Sequence, residues 1–426
     1  MTVADHNSAI EATFRIEQAK LIAALTRMVR DVGVAEELAQ DALLAALEQW
    51  PRSGIPEKPG AWLMAAAKNR AIDRFRRAKL IDAKHGELQA ELGSESDAQM
   101  PDLDAALDDD IGDDLLRLMF ISCHPVLGRD AQVALTLRLI GGLKTEEIAR
   151  AFLVPEPTIA QRIVRAKRTL SERRVPFEAP RGEALNERLQ SVLAVIYLIF
   201  NEGYAATAGD DWMRPQLCEE ALRIGRILAE LPHGEPEVHG LVGLMELQAS
   251  RLGARRGPDG EPVLLLAQDR ARWDQLLIRR GMAALSRAQS LGEGLGPYGI
   301  QAAIASCHAR ARTAEETDWA AIVGLYGRLG AVMPSPVVEL NRAVALSMHM
   351  GPEAGLRIVD ALIAEPSLNG YHLLPSVRGD LLEKLGRCEE ARVEFERAAG
   401  LTQNARERAL LLRRAEACAG RSVTGA

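Results

Sequence analysis

Apolar and polar positions along this chain repeat with helical spacing almost everywhere. Ile10, Phe14, Ile16, Leu21, Leu25 and Val29 fit one buried stripe, broken near Asp31-Val32-Gly33, so residues 8–50 predict two or three helices. The helix Ala35–Trp50 keeps Leu38, Ala42, Ala45 and Ala46 for packing and carries Glu36, Glu37, Gln40 and Asp41 near its start. PRSGIPEKPG (51–60) predicts a loop. AWLMAAAKNRAIDRFRRAK, after it, predicts a helix apolar at its start and basic at its end. Further on, Ala131–Ile140 is apolar at Val133, Leu135, Leu137 and Ile140 and stops at Gly141-Gly142. Thr145 is placed to cap a helix Thr145–Phe152, with Glu146 and Glu147 in the first turn, where carboxylates suit the helix dipole. A tight turn, Leu153-Val154-Pro155, leads to a third helix with Pro157 near its start. There Ile159, Ile163, Ala166 and Leu170 face the core, leaving Gln161, Arg162, Arg165, Lys167 and Arg168 for the other side. Two short helices, a tight turn and a basic second helix make a helix-turn-helix pattern.

Beyond Pro176 the pattern stays helical. Leu185–Phe200, Leu217–Leu231, Pro236–Leu252 and Leu264–Leu291 predict amphipathic helices, several rich in alanine at close-packing spacing. Gly379, Leu382, Gly386, Ala391, Phe395 and Ala398 take the packing positions of a tetratricopeptide-like unit. Ala354, Ala361 and Pro366 belong to a degenerate copy before it, and Gln403 replaces the usual proline. Small residues are needed where paired helices approach too closely for larger side chains.

Composition agrees with an all-α fold. The 426 residues are 47% hydrophobic but only 4% aromatic, and long runs rich in β-branched residues are missing. Five widely spaced cysteines (Cys123, Cys218, Cys307, Cys388, Cys418) without a CxxC read as reduced thiols. Neither a secretory signal nor a run of about 18 apolar residues occurs, so a soluble, cytoplasmic protein that uses no membrane is expected.

Charge sharpens the picture. The chain carries a net −7, yet residues 155–174 hold six basic and two acidic residues, and Lys68–Lys79 six basic and one acidic. Such local positive faces on an acidic protein suit phosphate contact. Residues 82–114 hold twelve acids and one lysine, the composition of a solvated linker. Adjacent Cys123 and His124 lack a second pair at ligand spacing, so packing rather than zinc is expected. No cofactor or metal is expected.

AEELAQDALLAALEQW, PGAWLMAAAKNRAIDRFRR and the helix-turn-helix, in this order, resemble a bacterial RNA polymerase sigma factor of the extracytoplasmic-function group. The resemblance implies a second sigma region at 8–80, an acidic linker at 81–113, and a fourth region at 114–176. A helical extension at 180–426, tetratricopeptide-like from about 318, would follow. It further implies that Glu37, Gln40 and Asp41 dock on the β′ clamp helices of the polymerase core, with the β flap as a further contact. Charges there set orientation while apolar contacts supply most of the affinity. Asn69, Arg70, Asp73, Arg74, Arg76 and Arg77 would face the opened −10 element, where basic groups hold the backbone and Asn and Asp read flipped bases. Thr158, Gln161, Arg162, Arg165 and Lys167 would meet the −35 major groove of promoter DNA. Trp62 reads as core packing rather than a base-stacking platform. The linker stands either as a plain spacer or as a nucleic-acid mimic in the RNA exit path. Tyr197–Ala206 (YLIFNEGYAA) and Pro334–Ala345 (PSPVVELNRAVA) match a subgroup with such an extension. In that subgroup the tail would control the sigma core, and its repeats offer a surface for a protein partner.

Two other readings compete. A helical-repeat scaffold or ligand sensor would use its sigma-like half only as a DNA anchor, without sigma activity. An enzyme fused to a DNA-binding module finds little support, since no nucleophile elbow, P-loop, HExxH or dinucleotide fingerprint appears. Asn201, Glu202, Tyr204, Asp210, Asp211 and Trp212 form a polar cluster, and His233, His239, His308 and His372 are available to the tail. That cluster reads first as a helix-terminating turn and second as a small-ligand pocket.

Overall fold

A computed structural model describes residues 3–89, 111–180, 183–231, 234–258 and 260–424. The chain forms two compact units, Met1–Val195 and Ile196–Ala426.

In the first unit, α1 (Val3–Val29) and α2 (Val32–Ser53) form a hairpin. Asp31 is its hinge: the carboxylate accepts from Val34 N at 2.9 Å and caps α2. Ile10, Phe14, Leu21, Ile22 and Leu25 of α1 meet Leu38, Ala42 and Trp50 of α2 in the core. Ile16, assigned to the same stripe by spacing, is instead 69% exposed. It stands two residues from Phe14, and residues two apart on a helix do not share a face. The loop expected at 51–60 is shorter than predicted, because α2 continues through Pro51 to Ser53. Gly54 N closes that last turn by donating to Trp50 O at 2.9 Å. α3 (Pro59–Gln89) likewise runs past the predicted start of the linker at 81. The remaining linker residues 90–110 lie outside the described residues.

Four more helices follow in this unit: α4 (Ile111–Ser122), α5 (Arg129–Leu139), α6 (Thr145–Phe152) and α7 (Glu156–Glu172). Their core is Leu118, Met119, Phe120, Leu135, Leu137, Ile148, Ile159, Ile163 and Leu170. Cys123 belongs to this packing; its thiol lies 3.4 Å from Thr136 Oγ1, and burial pushes it up to about 12. The cap of α6 falls one residue earlier than spacing placed it. Thr145 is the first helical residue, and Glu147 accepts from Lys144 N at 2.7 Å.

In the second unit, the end of α8 (Glu183–Tyr204) contributes Ile196, Ile199 and Phe200 to the core. Helices α9 (Pro215–Glu230), α10 (Pro236–Ala249), α11 (Gln275–Leu291), α12 (Pro297–Arg310) and α13 (Trp319–Val332) follow. The row continues with α14 (Pro336–Met350), α15 (Pro352–Leu362), α16 (Leu373–Lys384), α17 (Cys388–Leu401) and α18 (Ala405–Thr424). From α12 onward each helix packs on the next. Ala391, Phe395 and Ala398 are fully buried, and a Cβ on Gly379 would stand 2.8 Å from the Phe395 ring. Close packing explains these small residues. Ala361, read as a packing position of the earlier copy, is exposed.

The helix predicted at Leu264–Leu291 is broken. Two single-turn 3-10 helices, Leu265–Ala267 and Arg270–Arg272, precede α11. Asp274 ends the irregular stretch by accepting from Leu276 N and Leu277 N at 2.8 and 3.0 Å. β1 (Ala208–Gly209) and β2 (Gln403–Asn404) pair in parallel, with Ala208 opposite Gln403. Among the described residues, no helix is long and apolar enough to cross a membrane.

Candidate nucleic-acid interface

The helix-turn-helix is set by one strained residue. Leu153 ends α6 with φ of 51°, in the left-handed region, and its N–H donates to Arg150 O at 3.4 Å. This turn aims α7 away from α6 while Ile159, Ile163, Ala166 and Leu170 stay buried. Outward, Gln161 and Arg165 are exposed, and Arg165 forms no ion pair among the described residues. Thr158 is half-buried at the first turn of α7. Arg162 is half-buried, and its guanidinium sits 3.0 Å from Asp130 Oδ2 at the start of α5.

Lys167 points elsewhere. Its ammonium pairs with Glu36 of α2, a carboxylate only 4% exposed, which also takes Arg138 Nε at 2.6 Å. Three sequence-distant helices, α2, α5 and α7, therefore meet at one buried acid. Spacing could not find this junction, because Glu36, Arg138 and Lys167 share no local pattern. The only signal was an acid falling beside Ala35 on the packing side of α2.

The two faces expected on α2 and α3 lie side by side. Glu37 and Asp41 are exposed and Gln40 half-buried. Arg74 donates to Glu37 Oε2 at 2.7 Å, and Arg70 donates to the carbonyl of Asp41. Asn69 and Asp73 are exposed on the same stretch. The Arg74–Glu37 pair is open to water on both sides and worth little. It leaves Arg74 available to a phosphate. Arg76 and Arg77 lie outside the residues whose side chains are described. Trp62 is half-buried and meets Trp50 edge-on at 5.2 Å.

In the second unit the polar cluster after α8 forms a turn. Glu202 pairs with Arg214 and accepts from Thr207 Oγ1 at 3.0 Å, while Arg214 N donates to Gly203 O at 2.7 Å. Fully buried Asn404 ties this turn to the last helix. Its Nδ2 donates to Ala206 O and Asp211 O at 3.3 and 3.1 Å, and its Oδ1 accepts from Arg406 N and Glu407 N. Asn404 escaped the sequence reading, although Asn before a run of helix formers is a cap signal. His308 is buried edge-on to Trp319 at 5.2 Å, and His372 Nε2 stands 3.3 Å from Glu407; His233 lies outside the described residues.

Comparison with known proteins places these elements. Residues 14–81 match Sigma-70 region 2, and residues 117–170 match Sigma-70, region 4. Residues 188–289 match a family of unknown function, DUF6596. An uncharacterized protein, R00370, of Rhizobium meliloti (strain 1021) is 44% identical over 389 residues, covering 91% of this chain and 90% of that protein. The "Probable ECF RNA polymerase sigma factor SigI" of Mycobacterium tuberculosis is 29% identical over 166 residues, covering 39% of this chain and 56% of its own. No solved structure matches the chain.

Proposed function

The chain belongs to the extracytoplasmic-function sigma factors of the sigma-70 family and acts in transcription initiation, and from that premise we propose how its residues divide the work. The outer face of α7 reads the −35 element: Gln161, Arg162 and Arg165 enter the major groove, with Thr158 at the helix start. This assignment rests on one observation above all. Arg165 and Gln161 are exposed on a helix whose opposite side is buried and whose entry angle is set by the left-handed Leu153. Arginine in the major groove recognises guanine edges, and its charge holds phosphates. Lys167 joins this surface only when its pair with Glu36 opens.

Glu37, Gln40 and Asp41 dock on the β′ clamp helices of core polymerase, and the helix-turn-helix meets the β flap. Asn69, Arg70, Asp73, Arg74, Arg76 and Arg77 hold the melted −10 strand. The C-terminal helical unit modulates the sigma core. Two moderate DNA contacts, joined through polymerase, give a promoter selectivity that neither has alone.

Reconstituted transcription with core enzyme tests this division. The chain directs initiation from a promoter of its own genome. Arg162→Ala with Arg165→Ala lowers that initiation by about tenfold or more, each base-reading contact being worth roughly 1–3 kcal/mol, while core binding stays intact. Unchanged promoter choice in the double variant would remove α7 from the −35 role, and absence of initiation at every promoter would remove the division of labour altogether.

A further inference from the structure

The C-terminal unit holds a pocket of about 260 Å³ that the promoter-reading role leaves without a task. Its walls come from the end of α8, the 251–268 connection, the start of α16 and the first turns of α18. Tyr204 and Trp212, from the cluster the sequence left open between turn and pocket, both line it.

Its lining mixes apolar and charged side chains. Leu264, Leu373 and Leu411 supply apolar wall. Arg255 also lines it, only 9% exposed, with its guanidinium carbon 3.5 Å from the Tyr204 ring centre and 4.6 Å from that of Trp212. One of its N–H groups donates to the Tyr204 carbonyl at 2.7 Å. Arg251 lies 5.7 Å from the ring centres of both Tyr204 and Trp273. Neither guanidinium makes an ion pair among the described residues. The carboxylate lining the cavity, Glu407, is already engaged: Thr402 Oγ1 donates to it at 2.9 Å and His372 Nε2 stands 3.3 Å away. Four polar atoms of the lining are buried without a hydrogen-bond partner: Trp212 Nε1, Arg251 Nε, Gln268 Oε1 and His372 Nε2.

A buried guanidinium with no carboxylate in ion-pair contact is costly: burial pulls Arg255 below the usual arginine range, and the nearby charge of Glu407 only partly offsets it. Aromatic rings cover the faces of both arginines, so only their N–H edges remain to bond, and those edges fit a carboxylate or phosphate. An apolar pocket with a few polar groups in its wall is the general form of a small-molecule site. We infer that this cavity binds a small organic anion, with a carboxylate or phosphate head at Arg251 and Arg255 and an apolar body against the leucine wall. A cavity of about 150 Å³ holds a benzene-sized guest, so this one accommodates a ring together with its head group. The inference does not depend on how the chain reads a promoter.

Titration of the full-length chain with benzoate and with phenyl phosphate, followed by calorimetry and tryptophan fluorescence, tests it. At least one of the two binds saturably and perturbs the fluorescence of Trp212 in the wall; which one binds identifies the head group. Benzamide and benzyl alcohol, of similar shape but neutral, bind about tenfold or more weakly. Arg251→Gln weakens the anion by about tenfold with unchanged helical circular dichroism. Ser376→Leu, which fills the cavity and leaves both charges, does the same and serves if Arg251→Gln does not fold. No saturable binding of either anion, equal binding of the neutral pair, equal binding of inorganic phosphate and phenyl phosphate, or unchanged affinity in Arg251→Gln and Ser376→Leu would overturn the site.

Discussion

At the scale of single residues, burial separates acids and bases that look alike in the sequence. Glu36 and Glu37 are neighbours on α2, yet one is buried under Arg138 and Lys167 and the other sits in water beside Arg74. Removing one member of a buried ion pair strands the rest, at a cost of about 3 kcal/mol, whereas an exposed pair is worth less than about 1 kcal/mol. Glu36→Gln is therefore expected to lower the stability of the chain by about 3 kcal/mol in denaturant titration, and Glu37→Gln to leave it nearly unchanged. Equal effects would mean that Glu36 is not the junction of α2, α5 and α7. His308 gives a pH prediction of definite sign. Burial, with Arg251 and Arg270 nearby, pushes its imidazole down from 6.5 to about 3. The folded chain thus refuses a proton that the unfolded chain accepts, so this group withdraws stability as pH falls from about 6.5 toward 3 and withdraws none above that window. Melting temperature followed between about pH 6 and pH 4 should fall less steeply in His308→Asn than in the parent; parallel curves would exclude His308 as the source.

Helices and their pairings follow from local spacing wherever the packing partner is the neighbouring helix. Thr145–Phe152 appears as predicted, and Gly379, Ala391, Phe395 and Ala398 were picked out because close helix pairs demand small residues opposite a large one. Gly379→Ala places a methyl 2.8 Å from the buried Phe395 ring, an overpacking expected to destabilise by about 1–3 kcal/mol. Gly400→Ala, in the helix of Phe395 but with nothing within 4 Å, should instead stabilise by roughly 0.5–1 kcal/mol. Thermal unfolding of the two variants measures the difference, and shifts of the same sign would contradict the close approach. Where spacing failed, a non-local partner or a turn had taken over. Ile16 and Ala361 satisfied a rough period but stand on outer faces, and Leu264–Leu291 looked like one helix until Asp274 capped its second half alone.

For the whole molecule, the proposed modulation of the sigma unit by the extension is tested by truncation. The first compact unit extends to Val195 rather than stopping after α7, and Arg188 on α8 donates to the carbonyl of Phe120. A cut after Val195 consequently keeps that unit whole, which a cut after Val175 does not. Transcription by the 1–195 fragment distinguishes a brake from a required part. We expect a modulating tail to change initiation by about tenfold or more in one direction; constitutive activity means a brake, loss of activity a required element, and unchanged activity removes modulation from the proposal.

By itself the sequence determined the helical class, the order of the two sigma regions and the outward face of the helix after Leu153, because each is written in residues close together along the chain. Periodicity, caps and glycine stops act within a few turns, and a charge excess on one helix needs no partner to be seen. Tertiary structure alone decided that Lys167 turns from the outer face of α7 to Glu36, that Asn404 ties the last helix to the turn after α8, and that Arg251 and Arg255 share a cavity with Tyr204 and Trp212. Those choices are settled by which side chains lose water together, and residues that do so here come from as far apart as Tyr204 and Leu411.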